Sequence, residues 1–291
     1  MFKNKKNFIL IFTSFTLSLL ISACSVSPIN SGSGGSNRDN PPLPAPPAPT
    51  PAFDALKDAV LYPGEKSFDE LEDKELLYTV IGKLETTDCF SGKGAGESVA
   101  KKGFIKYTQK TSGTYVKRSG KHYSSSVSNS TFVNVNNEAV ECGDFVFSRR
   151  DGGSVKKSTV EEYASQMGIT PSKPLSAHIY NDDTISSITR AVNDDDTVTL
   201  YVKLKKEEAH KLCRYQMKNF GGLEDYPVFL EDTAVTLVIT KDFLPLTLSY
   251  ASKYTVSVAV LGSLTCNETY KTAFSYNDVP LIPDESEFTS D

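Results

Sequence analysis

Strict alternation of apolar and polar residues limits the C-terminal half of this chain to half-buried antiparallel strands. Val198, Leu200, Val202 and Leu204 alternate with Thr197, Thr199, Tyr201 and Lys203. The same rhythm runs through Val235–Ile239, Leu244–Tyr250, Tyr254–Val260 and Tyr270–Tyr276, with a turn at Lys241-Asp242. More polar segments of strand character fill the first half: Leu77–Leu84, Phe104–Lys110, Gly113–Lys117, Lys121–Val127, Thr131–Val135 and Ala139–Phe147. Turns are expected at Ser119-Gly120, Asn136-Asn137 and Asp151-Gly152-Gly153. Helices are predicted over Phe53–Leu61, over Val160–Met167 after a Ser158/Glu161 capping box, and over Lys206–Phe220 before Gly221-Gly222. The expected fold class is α+β: one strongly curved antiparallel sheet, a half-open barrel, with about three helices on its concave face.

Ahead of this body stands a different kind of sequence. Lys3, Lys5 and Lys6 precede an apolar run from Phe8 to Ile21, and Ser22-Ala23-Cys24 follows. A charged start, a short apolar core and small residues before a cysteine form an export signal over residues 1–23. The pattern resembles the bacterial lipoprotein signal, which implies cleavage before Cys24 and lipidation of its thiol. A 14-residue apolar run is short for a membrane span, which needs ~20 residues. Residues 24–52 read as a tether, flexible at Ser31–Ser36 and stiffened by Pro41, Pro42, Pro44, Pro46, Pro47, Pro49 and Pro51. No second linker interrupts residues 53–291, which are taken as one domain. The expected location is the extracytoplasmic face of a cell membrane, with a Gram-positive envelope favoured and the lipid anchor as the membrane contact.

The chain carries 31 lysines and arginines against 36 acids, a net charge of −5. Because the signal removes three lysines and no acid, the remaining body is more acidic still. That balance argues against nucleic acid as a partner, which needs a basic footprint. Besides Cys24 there are Cys89, Cys142, Cys213 and Cys266. An even number in an exported domain suggests two disulfides, for which three connectivities exist. Equal separations of 53 positions favour Cys89–Cys142 and Cys213–Cys266, with the other two pairings open.

Motifs for chemistry are weak. Ser98-Val99-Ala100-Lys101 and Ser154-Val155-Lys156-Lys157 match S-x-x-K, but the companion motifs of penicillin-recognising enzymes are absent and both lie in Gly- and Lys-rich stretches read as loops. His122, His178 and His210 neighbour no nucleophile motif, and solvated positions are expected for them. Asp182-Asp183 and Asp194-Asp195-Asp196 lack the alternating acids, glycine and final glutamate of a calcium loop, so acidic turns are expected. Lys101-Lys102, Lys156-Lys157 and Lys205-Lys206 are read as solvated. Tyr250, Tyr254, Tyr270, Phe274 and Tyr276 are expected in the core. No catalytic residue, metal or cofactor is expected.

Thr240-Lys241-Asp242-Phe243-Leu244-Pro245-Leu246 resembles the strand, charged turn and proline-led strand of the LolA-like lipoprotein-carrier superfamily. The ending Phe274–Pro283 is similar to the final strand and proline exit of its tethered relatives. The resemblance implies a non-enzymatic half-barrel that holds an apolar or lipid ligand between sheet and helices. A surface scaffold or envelope sensor, working through a protein partner, is the alternative.

Overall fold

The computed structural model describes residues 66–130, 134–167, 182–210, 225–258, 262–284 and 286–289, with 172, 180, 214 and 223. Twelve strands form one antiparallel sheet in the order β6-β5-β4-β3-β2-β1-β12-β11-β10-β8-β7, with β9 beside β11. They are β1 (Cys89–Lys102), β2 (Ile105–Arg118), β3 (Lys121–Ser130), β4 (Asn134–Cys142), β5 (Phe145–Arg150), β6 (Lys156–Thr159), β7 (Ile185–Val192), β8 (Val198–Leu204), β9 (Val228–Phe229), β10 (Thr233–Ile239), β11 (Pro245–Val258) and β12 (Gly262–Ser275). The sheet ends at β6 and β7, so it stays open. The pairing of β1 with β12 joins its two halves. This is the α+β half-barrel expected from the alternation.

Helix α1 (Asp73–Thr86) replaces the strand expected over Leu77–Leu84. Leu76, Leu77, Val80, Ile81 and Leu84 recur at helical spacing, and all are buried. The Glu72 backbone N–H donates to the Glu75 carboxylate at 3.0 Å, closing the first turn. Those apolar residues pack with Val198, Leu200, Val202, Leu204, Val235, Leu237, Ile239, Leu248, Val256 and Val258. The face α1 packs on is the inner face of the sheet. Arg190 of β7 pairs with Asp73 at 3.0 Å, and Lys74 with Asp182 at 2.9 Å, which ties the helix to that edge.

Other boundaries also differ. Phe104–Lys110 and Gly113–Lys117 belong to one strand, as do Leu244–Tyr250 and the start of Tyr254–Val260. Asn136-Asn137 lies inside β4 rather than in a turn, and the break in Ala139–Phe147 comes at Gly143-Asp144. Ser119-Gly120 turns as expected: both residues have positive φ, the geometry that matches a hairpin's twist. Helix α2 (Val160–Met167) is present. Lys206–His210 is turn; most of the rest of the expected Lys206–Phe220 helix, and all of Phe53–Leu61, lie outside the described residues.

The two halves of the sheet bury opposite chemistries. On the outer face of β3–β5, Tyr123, Val140 and Phe147 cluster with Val155, Ile282 and the fully buried Phe288 of the C-terminal turn Ser286–Thr289. Arg149 lies 4.7 Å over the Phe288 ring and pairs with Glu138 at 2.5 Å. Phe288→Ala is expected to cost about 3 kcal/mol, the usual cost of emptying a buried aromatic site. A urea midpoint lowered accordingly checks this, and an unchanged midpoint shows that the C-terminal turn is no part of the folding unit.

Candidate functional site

Behind the outer cluster on β3–β5, the inner face of β2–β4 carries polar residues. Register places Thr272 (β12), Gly94 (β1), Gly113 (β2), Ser126 (β3), Asn137 (β4) and Arg150 (β5) in one row across the sheet. Two residues along, Tyr250 (β11), Tyr270, Gly96, Thr111, Ser128 and Val135 form the next row. A third contains Ser252, Glu268, Ser98, Gln109 and Ser130. From β12 to β4 and across three rows, this patch measures about 19 by 14 Å.

Most of these side chains are buried, and several lack a partner. Gln109, Ser126, Asn137, Ser252 and Thr272 are all below 7% exposed. Both amide atoms of Gln109, the hydroxyls of Ser126, Ser252 and Thr272, and Asn137 Oδ1 make no hydrogen bond. A buried polar group left unpaired costs about 1–3 kcal/mol, so this face is an expense to the fold. Thr111 Oγ1 and Ser128 Oγ do meet, at 3.0 Å.

Glycine shapes the patch. A Cβ on Gly94 would stand 2.4 Å from Tyr270 Cε1, and one on Gly96 would stand 2.4 Å from both Tyr270 Cδ2 and the Thr269 carbonyl oxygen. The Tyr270 ring therefore lies across the glycines of β1 and stacks on Tyr250, with centroids 5.9 Å apart. Beside it, Glu268 is wholly buried. Tyr250 Oη donates to one carboxylate oxygen at 3.0 Å and Tyr254 Oη to the other at 3.1 Å. Burial pushes the Glu268 carboxyl up to about 7, against the opposing effect of the two tyrosine hydrogen bonds. Ser252, its cross-strand neighbour, makes no bond to it, so the two do not form a nucleophile–base pair.

The residues singled out in the sequence do not converge here, apart from Tyr250, Tyr254, Tyr270 and Ser98. Cys24, Cys213 and His178 lie outside the described residues. Cys89 and Cys142 occupy one row, separated by Arg118 of β2 and Lys121 of β3. Three interstrand steps are about 14 Å, beyond the roughly 7 Å limit for a disulfide, so the Cys89–Cys142 pairing is not made in this fold. Cys266 is buried on β12 opposite Ala100, near the other end of β1. The Cys213–Cys266 pairing involves Cys213, outside the described residues. Ser98 faces inward on β1 while Lys101 is exposed; three residues apart on a strand, they point to opposite faces. Lys157 lies 3.8 Å over the Phe145 ring. Asp195 accepts from both the backbone N–H and the hydroxyl of Thr197, an acidic turn.

The histidines correct a different expectation. His210 is fully buried, stacked on Phe229 at 3.8 Å and bonded through Nε2 to Thr233 Oγ1 at 2.9 Å. His122 shares a 2.8 Å hydrogen bond between its Nδ1 and Tyr115 Oη. Desolvation, helped by nearby Arg214 and Lys117 respectively, lowers both to about 4. His210 is sealed from solvent and His122 is half-buried, because each ring packs against an aromatic neighbour.

Two hollows open elsewhere. One of about 830 Å³ lies at the rim among Asp88, Cys89, Arg118 and Asp278, where Arg118 donates to the Val279 carbonyl at 2.6 Å. The other, about 320 Å³, includes Ala95, Ala234 and Ala251 on the outer face.

No family model and no curated protein sequence matches this chain. Solved structures similar to it include the ywiB protein from Bacillus subtilis, at 10% identity, covering 65% of this chain and 94% of that one, TM-score 0.21. A DUF1329 family protein from Desulfovibrio piger aligns at 12% identity over 74% and 95%, TM-score 0.29. A domain named for outer membrane lipoprotein sorting, from Vibrio parahaemolyticus, aligns at 6% identity over 72% and 94%, TM-score 0.22. At these identities and TM-scores the alignments carry no inference about function.

Proposed function

We propose that the protein is a membrane-tethered, extracytoplasmic binding protein that holds an apolar or lipid ligand between sheet and helices and catalyses no reaction. The observation that supports this most is the division of the inner face. One part of it is aliphatic and packed on α1, whereas the rows running from β11 to β4 carry buried polar groups without partners. An amphiphile has the same division. The signal over residues 1–23, Cys24 and the tether over 24–52 support anchoring by lipid. The sequence resemblance to the LolA-like superfamily supports the same use of a half-barrel. The scaffold alternative draws on the β7 edge, where Val192 is 72% exposed and Tyr201 of neighbouring β8 is 51% exposed.

Expression of the full-length chain in a bacterial host, followed by intact-mass measurement and organic extraction, tests both parts. Acylation at Cys24 and a co-extracted lipid in stoichiometric amount are expected. A mature chain without acyl mass removes the anchor, and an empty protein from a lipid-replete host moves the reading to the scaffold.

A further inference from the structure

From the polar rows of the inner face, we infer that the stretch of sheet from β11 to β4 binds an uncharged, hydroxyl-rich group such as a glycosyl or polyol unit. The inference rests on the binding function proposed above and names the chemistry at its polar end. Thr272, Ser126 and Asn137 stand in one row, and Gln109 and Ser252 in another, all buried and all with unpartnered atoms. Between them the set offers donors and acceptors together. Hydroxyls and amides can each donate and accept, and a ligand hydroxyl can do the same, so every unpaired atom is matched without a net charge on either side.

The charges near the patch fit this class and exclude two others. An anionic headgroup would need a cation, and Arg150, at the β5 end of the first row, has its Nε turned to Asp151 at 3.4 Å. Lys117, two rows beyond Gly113 on the same face, donates to the Glu85 carbonyl at 2.6 Å. A cationic headgroup would need an available carboxylate, whereas both oxygens of Glu268 already accept from tyrosines and Glu141, two rows from Asn137, accepts from the Ser172 backbone N–H at 3.0 Å. Flat patches of side-chain amides with a neighbouring aromatic ring suit the alternating hydroxyl and C–H surface of a sugar. Tyr270, laid along the glycines of β1, supplies that ring.

The test uses the full-length chain with Cys24→Ser, so that it is secreted without its own acyl chains. Calorimetric titration compares octyl maltoside, octylphosphocholine and octyl sulfate, each below its micelle-forming concentration, with free maltose. Octyl maltoside is expected to bind on the order of tenfold more tightly than the other two amphiphiles. Gln109→Met and Asn137→Leu keep the volume and remove the polar atoms. Since those atoms are unpaired in the fold, both variants are expected to remain folded and no less stable than the parent. Each is expected to lose the preference for maltoside while keeping affinity for the octyl chain. Thr236→Val, on the outer face, is expected to change neither.

Equal binding of the three amphiphiles, or an unchanged preference in both variants, overturns the headgroup assignment and leaves the amphiphile reading standing. Maltose bound as tightly as octyl maltoside upholds the polar site and overturns the apolar part, identifying a soluble sugar as the source. Absence of binding by all four probes overturns both.

Discussion

Alanine at Gly96 is expected to destabilise the protein by about 4 kcal/mol or more, close to preventing folding, whereas alanine at Gly94 costs about 3 kcal/mol. Both new methyl groups would overlap the Tyr270 ring, but only that on Gly96 also meets backbone, the Thr269 carbonyl at 2.4 Å. The two sites therefore separate in a Tyr270→Ala background. There, Gly94→Ala should cost almost nothing further, since every close contact it makes is with the tyrosine. Gly96→Ala should keep most of its penalty, because a strand carbonyl paired across the ladder cannot withdraw. Urea unfolding of the parent, the three single variants and the two double variants measures this. Full additivity at position 94 would show that Tyr270 does not lie across β1.

Glu268→Gln should stabilise the protein by about 3 kcal/mol at pH 8 and by almost nothing at pH 4.5. The sign follows from burial: the folded state holds the Glu268 proton up to about 7, against an ordinary value of 4.5. Its stabilising contribution is complete below pH 4.5 and disappears as pH rises through 7, and about 2.5 pH units correspond to roughly 3 kcal/mol. Glutamine is neutral throughout and still meets both tyrosine hydroxyls. His210 acts in the opposite direction. Held near 4 rather than 6.5, it contributes stability that is present above pH 6.5 and lost as pH falls through 4. His122, lowered to about 4 as well, acts in the same sense; in the parent these slopes oppose that of Glu268 between pH 4.5 and 6.5, and the variant should reveal the combined slope of the two histidines. Urea midpoints between pH 4.5 and 8 check this; a parent–variant gap that does not vary with pH would mean that Glu268 is solvated.

The strands of the C-terminal half were legible because one side of each is aliphatic and the other is not. Val198, Leu200, Val202 and Leu204 state their own direction. β1 was not legible, although it joins the two halves. Three of its inward positions, 92, 94 and 96, are glycine, and glycine in a row ordinarily weakens a strand. What makes them strand is a tyrosine far along the chain that needs the room. Helix α1 was missed for a smaller reason: Leu77 to Leu84 holds a dense apolar run of strand length, and its period becomes helical only when Leu76 and the Glu72/Glu75 turn are included. The buried histidines were missed because neighbouring charges in sequence, Glu207 and Glu208, do not report which ring is stacked against His210.

The candidate site is the clearest case of this division. The pattern of β3, with Ser124, Ser126, Ser128 and Ser130 on one side and Tyr123 and Val127 among Ser125 and Asn129 on the other, marks one side as uniformly polar from sequence alone. It does not establish which side faces α1, because a strand's two faces are equivalent until something covers one. The C-terminal segment decides it. Phe288 and Ile282 seal Tyr123, Val140 and Phe147 from outside, and the serines are left facing in, with Gln109, Asn137 and Thr272. Fold class and the existence of most strands could be read along the chain, since each depends on neighbours in sequence. The inward polar face, the tyrosine over the glycines and the separation of Cys89 from Cys142 depend on residues brought together across the sheet, and only the tertiary structure set them.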